Sequence, residues 1–275
     1  MDFSQSVAVV TGAGSGIGKE LALQLSKAGA RLAINDWDQN SLDETVRLVE
    51  EQGGTVLSQA FDVGSRKQMY AFAERVEEHY GQVDIMINNA GVALGMIYLE
   101  DVTSEDFEWI VNVNLWGVVH GTMAFLPLLR KRPAASLVNL SSSFGMLAVP
   151  GQAPYCTTKF AVRGFTDSIR LELMDTNVLV TLVCPSQVKT NIVRNGRHLS
   201  ETAKAEMVQA FDEKLTRVSP EKMAEVILDG ILQKREVILY ARDSLLVSLA
   251  SRFMPRFVIK KITRRTLRKM AEENS

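Results

Sequence analysis

Short hydrophobic runs alternate with longer amphipathic runs along the 275-residue chain. The short runs are rich in Val, Ile and Leu without strict alternation, which is typical of parallel strands buried on both faces. The predicted strands cover residues 6–12, 31–36, 55–63, 83–91, 135–143, 178–186 and 236–241. Because helical patterns separate these strands, we predict an α/β fold with a doubly wound parallel seven-stranded sheet in a single domain.

Residues that cap helices mark three helix starts. Ser65 and Thr103 are each followed, three positions later, by a Gln or an Asp, which is the spacing of a capping box. Ser219 is followed by Pro220, and a proline at the first helical position loses no hydrogen bond there. We therefore predict that helices begin at these three points.

The segment 187–218 departs from the alternation of strands and helices. It holds polar residues, a glycine and only a short helical pattern. Long insertions at the carboxyl edge of a parallel sheet usually cover a ligand, so we expect this segment to cover the substrate; a surface excursion is the alternative. We assign residues 1–243 to the catalytic domain and residues 244–275 to a basic tail.

The stretch VVTGAGSGIG follows the first predicted strand and opens the first helix, which is the setting of a phosphate-binding loop. Gly12 permits the tight turn, Gly16 lets the backbone approach a pyrophosphate, and Gly18 lets the helix pack closely on the sheet. Ser15 and Ile17 lie between them at the helix start, where N–H groups can face the phosphates. The pattern predicts a Rossmann-like dinucleotide site; a plain glycine turn is the alternative.

Asp36 ends the second predicted strand, eighteen residues after Gly18. A carboxylate at this point accepts hydrogen bonds from the adenosine ribose hydroxyls of NAD and repels the 2′-phosphate of NADP. Neither Ser15 nor Trp37 offers the cation that a phosphorylated ribose would need. The predicted cofactor is NAD rather than NADP, and the alternative is that Asp36 is only a turn residue.

Two further strand ends are predicted to contact the cofactor. Asp62 and Val63 close the third predicted strand, where they can meet the adenine. Asn89, Ala90 and Gly91 close the fourth, and their small size leaves room for a nucleotide against the backbone. All five lie on the carboxyl edge of the sheet, where ligands bind in open α/β folds.

Tyr155 precedes Lys159 by four positions in a run that reads as a helix. Side chains at this spacing share one face, so the phenol and the ammonium can act on one point; a buried ring beside an unrelated lysine is the alternative. Ser142 lies thirteen residues before Tyr155, and Asn114 lies within an earlier helix. A cation about 4 Å away is worth roughly 4 kcal/mol at an effective dielectric of about 20, which would lower the phenol pKa by about three units before desolvation opposes that shift.

Six ordered motifs resemble the short-chain dehydrogenase/reductase family, and the resemblance runs from about Ser6 to Ala241. They are TGxxxGxG at 11–18, NNAG at 88–91, NxxG at 114–117, Ser142, YxxxK at 155–159 and PxxVxT at 185–190. Through the last motif the resemblance adds Pro185, Val188 and Thr190 to the cofactor contacts. Ser186 departs from the family, in which a glycine usually follows this proline.

The resemblance implies an oxidoreductase that acts on a secondary alcohol or ketone, which we expect to be apolar. Tyr155 would be the general acid/base as hydride moves to or from the nicotinamide. Lys159 would also hold the nicotinamide ribose, and Ser142 would hydrogen-bond the substrate oxygen. Asn114 would hold a water of the proton relay. A dinucleotide-sensing protein without turnover is an alternative, although a sensor has no need of such a relay.

Composition and charge argue against several other classes. The formal net charge is -1, so no global field attracts nucleic acid. Cys156 and Cys184 form neither a disulfide framework nor a metal motif, and no metal is predicted. The sequence shows no basic leader and no apolar run of about 18 residues that would span a bilayer. We therefore expect a cytoplasmic protein.

The basic tail leaves a membrane-surface role open. Residues 244–275 carry eight Lys or Arg against two Glu, a balance of +6, whereas the remainder of the chain sums to -7. The stretch 251–271 sets apolar residues beside these cations, as a membrane-surface or partner-binding helix does. A basic face on a helix packed against this chain or a subunit is the alternative. A lipid-type carbonyl reductase held at a membrane by this tail is a further reading, and pelleting with anionic vesicles would distinguish it from a freely soluble enzyme.

The helical stretches 104–130 and 155–173 carry more apolar residues than one buried face requires. These residues are Trp109, Val113, Trp116, Val118, Phe125 and Leu126 in the first stretch, and Phe160, Val162, Phe165, Ile169 and Leu173 in the second. Exposed apolar patches of this size usually mark interfaces, and closed two-fold symmetry would pair each helix with its own copy. We expect a homodimer or homotetramer, which light scattering tests.

Overall fold

A computed structural model describes residues 2–186, 188, 218–240 and 264, and its strands form one seven-stranded sheet. The strands are β1 Val7–Thr11, β2 Arg31–Asp36, β3 Val56–Ala60, β4 Ile85–Asn88, β5 Ala135–Leu140, β6 Val178–Cys184 and β7 Val237–Leu239. Their order is β3-β2-β1-β4-β5-β6-β7, and every neighbouring pair is parallel. The predicted doubly wound parallel sheet is confirmed.

Helices lie on both faces of the sheet. They are α1 Gly16–Lys27, α2 Gln39–Glu51, α3 Arg66–Tyr80, α4 Ser104–Val111, α5 Gly117–Arg130, α6 Ala153–Glu172 and α7 Pro220–Leu232. A π-helical turn, Asn112–Trp116, joins α4 to α5. The three predicted caps are confirmed, since the hydroxyls of Ser65, Thr103 and Ser219 each accept a hydrogen bond from the backbone N–H three residues on.

Strand β1 lies in the middle of the sheet, between β2 and β4. The chain winds outward from β1 to β3 and then returns to the other side of β1, so a crevice opens between the carboxyl ends of β1 and β4. The third and fourth strands end earlier than predicted, at Ala60 and Asn88. Asp62 and Val63 therefore lie beyond the ladder, in a loop, because the backbone must leave the sheet to enter α3.

Two apolar layers hold the helices against the sheet. On one face Leu21 of α1 and Ile227 of α7 pack in a core to which Val10 of β1 also belongs. On the other face Phe72 of α3 meets Phe125 of α5, with ring centroids 6.2 Å apart in an edge-on arrangement. All five residues of β1 are buried, which explains why its sequence shows no polar alternation.

The prediction of a homodimer or homotetramer was based on apolar residues in the stretches 104–130 and 155–173, and the chain itself buries several of them. Val113, Val118, Phe125, Val162 and Leu173 are buried within the chain, so that part of the argument was wrong. The reason is that α5 and α6 are flanked by neighbours on more than one side. Trp116 and Phe160 do remain exposed, at 49% and 41%. The oligomeric state stays a prediction.

The helical run Ser104–Arg130 is long and apolar enough to cross a membrane by length and composition alone. Half of its most apolar window is buried inside the fold, as in the core helix of a globular domain.

Most of the predicted covering segment lies outside the described residues. Of residues 187–218 the structure describes Val188 and Val218, which pair in a parallel bridge and are both buried. Thr190 lies outside the described residues, as does the basic tail apart from Arg264.

Candidate active site

The glycine loop between β1 and α1 has the backbone that the sequence predicted. Gly12 and Gly16 adopt φ of +66° and +55°, in the left-handed region that favours glycine. A Cβ on Gly18 would lie 2.0 Å from the Gly12 carbonyl oxygen, so only glycine permits this approach. Ser15 is the N-cap of α1 and makes no side-chain capping bond, while Ile17 faces the core. The loop therefore presents backbone N–H groups and a helix N-terminus to a ligand.

The Asp36 carboxylate is tied to this loop. Its Oδ2 accepts from Gly14 N at 2.8 Å, and its Oδ1 accepts from Asp38 N at 3.1 Å. A Cβ on Gly14, which the sequence reading overlooked, would lie 2.9 Å from Asp36 Cγ, so a side chain there would displace this carboxylate. Burial raises the pKa of Asp36, and the N–H groups of Asp38 and Gly14 oppose that rise. Each oxygen retains a lone pair that can accept a ribose hydroxyl.

A second set of hydrogen bonds joins the loop after β4 to the loop after β1. Thr11 Oγ1 accepts from Asn89 N and Ala90 N, both at 3.1 Å. Asn89 Nδ2 donates to Thr11 O at 2.8 Å and to Gly12 O at 3.1 Å. The Asn89 side chain thus braces the glycine loop. Sequence reasoning missed Thr11, although it stands directly before Gly12 in the glycine motif.

The other predicted cofactor residues differ in exposure. Asp62 is exposed, and its Oδ1 accepts from Gly64 N at 2.8 Å. Val63 is buried against Gly117, where a Cβ would lie 2.6 Å from Val63 Cγ2. The Val188 side chain is buried in the apolar layer of α1 and α7. Their contacts with a cofactor stay predictions.

Tyr155 and Lys159 lie near the start of α6 and share one face, as their spacing predicted. Lys159 Nζ lies 5.6 Å from the centroid of the Tyr155 ring and donates to Leu140 O at 3.2 Å. A Cβ on Gly91 would lie 3.3 Å from Lys159 Nζ, so the loop after β4 meets α6 at this amine. The strand ends and the helix therefore converge on one point.

The pKa of Tyr155 is raised, which is opposite to the shift expected from the sequence, and the pKa of Lys159 is lowered. Burial raises the pKa of Tyr155 to about 12, with a hydrogen bond from Ser142 opposing the rise. Burial also lowers the pKa of Lys159 to about 8. The expectation of a depressed phenol pKa was wrong for the protein without cofactor, because desolvation exceeds the attraction of a lysine that points to the Leu140 carbonyl.

Ser142 follows β5 and caps the short 3₁₀ turn Ser143–Gly145. Its Oγ accepts from Phe144 N at 3.2 Å. The Phe144 ring stands edge-on to the Tyr155 ring, with centroids 6.2 Å apart. The Phe144 N–H therefore fixes the Ser142 hydroxyl at the start of this turn, and the Phe144 ring packs the turn against Tyr155. Pro185 O accepts from Ser143 N at 2.9 Å, which ties the residues after β6 to the same turn.

Asn114 lies in the π-helical turn and is fully buried. Its Oδ1 accepts from Val92 N at 2.7 Å, and its Nδ2 donates to Val92 O at 2.9 Å and to Thr158 Oγ1 at 3.2 Å. Both amide N–H groups are thus used within the protein. The side chain stabilises the backbone of the site, and the water-holding role of Asn114 stays a prediction. The described residues contain no group of three His, Cys, Asp or Glu that could hold a metal.

The profile of the short chain dehydrogenase family matches residues 6–200. The chain is 40% identical over 254 residues to "Putative oxidoreductase SadH" of Mycobacterium tuberculosis, covering 92% of each chain. It is 33% identical over 229 residues to "3-oxoacyl-[acyl-carrier-protein] reductase FabG" of Thermotoga maritima, covering 83% of this chain and 91% of the relative. The protein belongs to the short-chain dehydrogenase family.

Solved structures agree with this assignment. A short-chain dehydrogenase/reductase from Burkholderia phymatum in complex with NAD superposes with a TM-score of 0.84 at 28% identity, covering 90% of this chain and 93% of its own. An alcohol dehydrogenase from Thermococcus sibiricus complexed with 5-hydroxy-NADP gives 0.72 at 27% identity, covering 85% and 93%. This short-chain dehydrogenase is therefore an oxidoreductase. Solved structures similar to it include one complex with NAD and one with 5-hydroxy-NADP.

The depressed pKa of Lys159 predicts how stability depends on pH. In the unfolded chain Lys159 keeps its proton up to its ordinary pKa of 10.5, whereas in the folded enzyme it loses the proton at about 8. The unfolded state then binds more protons between these values, so stability rises with pH by about 1.4 kcal/mol per unit from this group. Urea unfolding of the cofactor-free wild type and Lys159→Met at a series of pH values measures the difference.

We expect the wild type to gain stability relative to Lys159→Met as pH rises from about 8 to about 10, and the two to run parallel below that range. Lys234→Met, at an exposed turn, should follow the wild type throughout. Parallel curves for Lys159→Met over the whole range would show that the buried amine keeps its ordinary pKa.

Proposed function

We propose that this short-chain dehydrogenase transfers hydride between the nicotinamide of NAD and a secondary alcohol or ketone whose substituents are apolar. The observation that carries the proposal is the convergence of Ser142, Tyr155 and Lys159 on the edge of the sheet that also bears the glycine loop. Dehydrogenation needs an acid/base beside a hydride acceptor, and no metal is required when a phenol and an ammonium supply the proton chemistry.

The residues around the crevice fit a dinucleotide. Gly12 and Gly18 let the loop pack against the residues after β4 and against its own backbone, since a Cβ would lie 2.8 Å from Ala90 Cα and 2.0 Å from Gly12 O. Helix α1 begins directly in this loop, and its first N–H groups can donate to a phosphate. Asp36 is positioned by the same loop and can accept ribose hydroxyls. When bound, the nicotinamide supplies the site that accepts or donates hydride.

Three side chains perform the proton chemistry. The Tyr155 hydroxyl donates a proton to the substrate oxygen during carbonyl reduction and accepts it during alcohol oxidation. Ser142 donates a hydrogen bond to the same oxygen and polarises its bond to carbon. A phenol with a pKa of about 12 is protonated at neutral pH and ready for reduction. Oxidation requires a lower phenol pKa, which positive charge on Lys159 would favour.

The preference for NAD rests on Asp36 and its neighbour. The Asp36 carboxylate is 8% exposed and lies where the adenosine ribose would sit. Asp38, two residues on, adds a second carboxylate and caps α2 through a 2.7 Å bond from Ser41 N. Lys19 is already paired with Glu44 at 2.6 Å. Two carboxylates beside a paired lysine would repel a 2′-phosphate.

An apolar loop beside the site supports the apolar substrate. Met96, Tyr98 and Leu99 are exposed at 39%, 53% and 63%. Two hydrogen bonds tie this loop to the turn before α6, Ile97 N to Gly151 O and Gln152 Nε2 to Gly95 O, both at 2.9 Å. The loop is thus tied to residues 151 and 152, which precede Tyr155 by three to four positions. "Epidermal retinol dehydrogenase 2" of Mus musculus, 33% identical over 236 residues, is a relative named for an apolar alcohol.

Tyr155→Phe tests the acid/base role because it keeps the ring and removes the hydroxyl. We expect turnover to fall by about 10²–10⁴-fold, as general acid/base catalysis is lost, while NADH affinity changes little. NADH absorbance with acetophenone and cyclohexanone measures turnover, and NADH fluorescence measures binding. Tyr70→Phe, a matched control on α3 where the ring lies beside Arg66, should keep wild-type turnover. Near wild-type activity of Tyr155→Phe would rule out the assignment.

Asp36→Ala tests cofactor choice. Removal of the carboxylate deletes the ribose acceptor and the charge that opposes a 2′-phosphate, so kcat/KM for NADPH relative to NADH should rise by about tenfold or more. Asp43→Ala, which removes an exposed carboxylate from the same helix that Asp38 caps, should leave the ratio unchanged. A wild-type enzyme that already prefers NADPH would contradict this reading of Asp36.

Phe144→Ala tests whether the Phe144 ring, which stands edge-on to Tyr155, forms an apolar wall against the substrate. Loss of the ring should lower kcat/KM for acetophenone by about tenfold and leave kcat/KM for acetone within about twofold, because a small ketone does not reach the wall. Phe160→Ala, an exposed phenylalanine on α6, serves as the control and should change neither value. Equal losses for both ketones would mean that Phe144 supports the fold rather than substrate choice.

A further inference from the structure

We propose that Thr158 is a positioning residue for the reaction, because its hydroxyl couples the Asn114 amide to the backbone of Tyr155. The inference rests on the proposed function of Tyr155. It concerns the residue that fixes the position of the Tyr155 backbone. Thr158 lies between Tyr155 and Lys159 in α6 and is fully buried, at 0% exposure.

The hydroxyl of Thr158 makes two hydrogen bonds with defined directions. Its Oγ1 donates to Tyr155 O at 2.8 Å and accepts from Asn114 Nδ2 at 3.2 Å. A hydroxyl has one proton, and here that proton goes to the carbonyl of Tyr155, so the Asn114 amide must be the donor in the second bond. The result is a directed chain from Asn114 through Thr158 to Tyr155.

Asn114 is anchored at its other end to the loop after β4. It pairs with both backbone groups of Val92, at 2.7 Å to N and 2.9 Å to O. The neighbouring Gly91 lies beside both Asn114 and Lys159, since its Cβ would be 3.3 Å from Asn114 Oδ1 and from Lys159 Nζ. The Thr158 hydroxyl is therefore the point at which the β4 loop, the π-helical turn and α6 are tied together.

The hydrogen bonds of Thr158 affect the position of the phenol oxygen, because the Tyr155 side chain has few rotatable bonds. Its side chain turns about two bonds, so the position of its oxygen follows the position of its backbone. A misplacement of about 1 Å at a reacting group can cost about 10²-fold in rate. Without the Thr158 hydroxyl, a buried N–H of Asn114 would lose its acceptor and the first turn of α6 would lose its link to the β4 loop.

The same helix supplies a matched control. Thr166 is also at 0% exposure, donates to a carbonyl one turn back (Val162 O, 2.7 Å) and accepts from an asparagine amide (Asn139 Nδ2, 3.1 Å). Its pattern of bonds repeats that of Thr158 eight residues along, roughly 12 Å away at 1.5 Å per residue. A purely structural contribution should therefore be similar at the two positions, whereas an effect on Tyr155 should appear only at Thr158.

The test compares Thr158→Val, Thr158→Ser and Thr166→Val in the full chain, with NADH and acetophenone or cyclohexanone. We expect Thr158→Val to lower kcat by about tenfold or more, with KM for NADH within about twofold, and to shift the apparent pKa in the pH profile of kcat. Thr158→Ser, which keeps the hydroxyl, should recover kcat to within about threefold. Thr166→Val should lower the urea midpoint to a similar extent yet keep kcat and its pH profile.

Equal losses of kcat in Thr158→Val and Thr166→Val would overturn the proposal, as would wild-type kcat in Thr158→Val. If the valine variant does not fold, Thr158→Ala is compared with Thr166→Ala under the same criteria. The proposed function fails separately, because it requires loss of turnover in Tyr155→Phe whatever happens at Thr158.

Discussion

The contact between the loops after β1 and β4 is the constraint on which the rest of the site depends. Thr11 Oγ1 accepts two backbone N–H groups of the β4 loop, and Asn89 returns two bonds to the β1 loop. This closeness is possible only because Gly12 has no side chain, since a Cβ there would lie 2.8 Å from Ala90 Cα. Once the two loops are joined, the crevice beside β1 has fixed walls, and Asp36 can be tied to its rim.

Burial controls the chemistry of the candidate catalytic pair. The same packing that brings α6 against the β4 loop removes water from Lys159 and Tyr155, so each group is moved toward its neutral form. Spacing on a helix therefore brings the groups together without deciding their charge. The protonated phenol suits proton donation to a carbonyl. The pKa of Lys159, about 8, lies close to neutral pH, so the charge of this lysine is sensitive to any charge that a cofactor brings.

Hydrogen bonds from asparagine side chains connect the loops and helices of the site. Asn89 joins β4 to β1, and Asn114 joins the β4 loop to α6 through Thr158. A further asparagine pair, Asn88 and Asn139, lies in register on β4 and β5, with 2.8 Å between the two side chains. The side-chain N–H groups of these amides donate to neighbouring elements, which fixes loop positions that apolar packing alone would leave variable.

The sequence by itself determined the parallel sheet, the helix caps, the glycine loop and the pairing of Tyr155 with Lys159. Each of these depends on a local rule: the burial of whole strands, a hydroxyl at an N-cap, the left-handed backbone of Gly12, or the 3.6-residue helical repeat. Only the tertiary structure decided which apolar residues of α5 and α6 the chain buries, because that depends on neighbouring elements. It also decided the direction of the pKa shifts and the roles of Gly14, Thr11 and Thr158. Those residues act through partners distant in sequence or through desolvation, and neither is visible in the local order of residues.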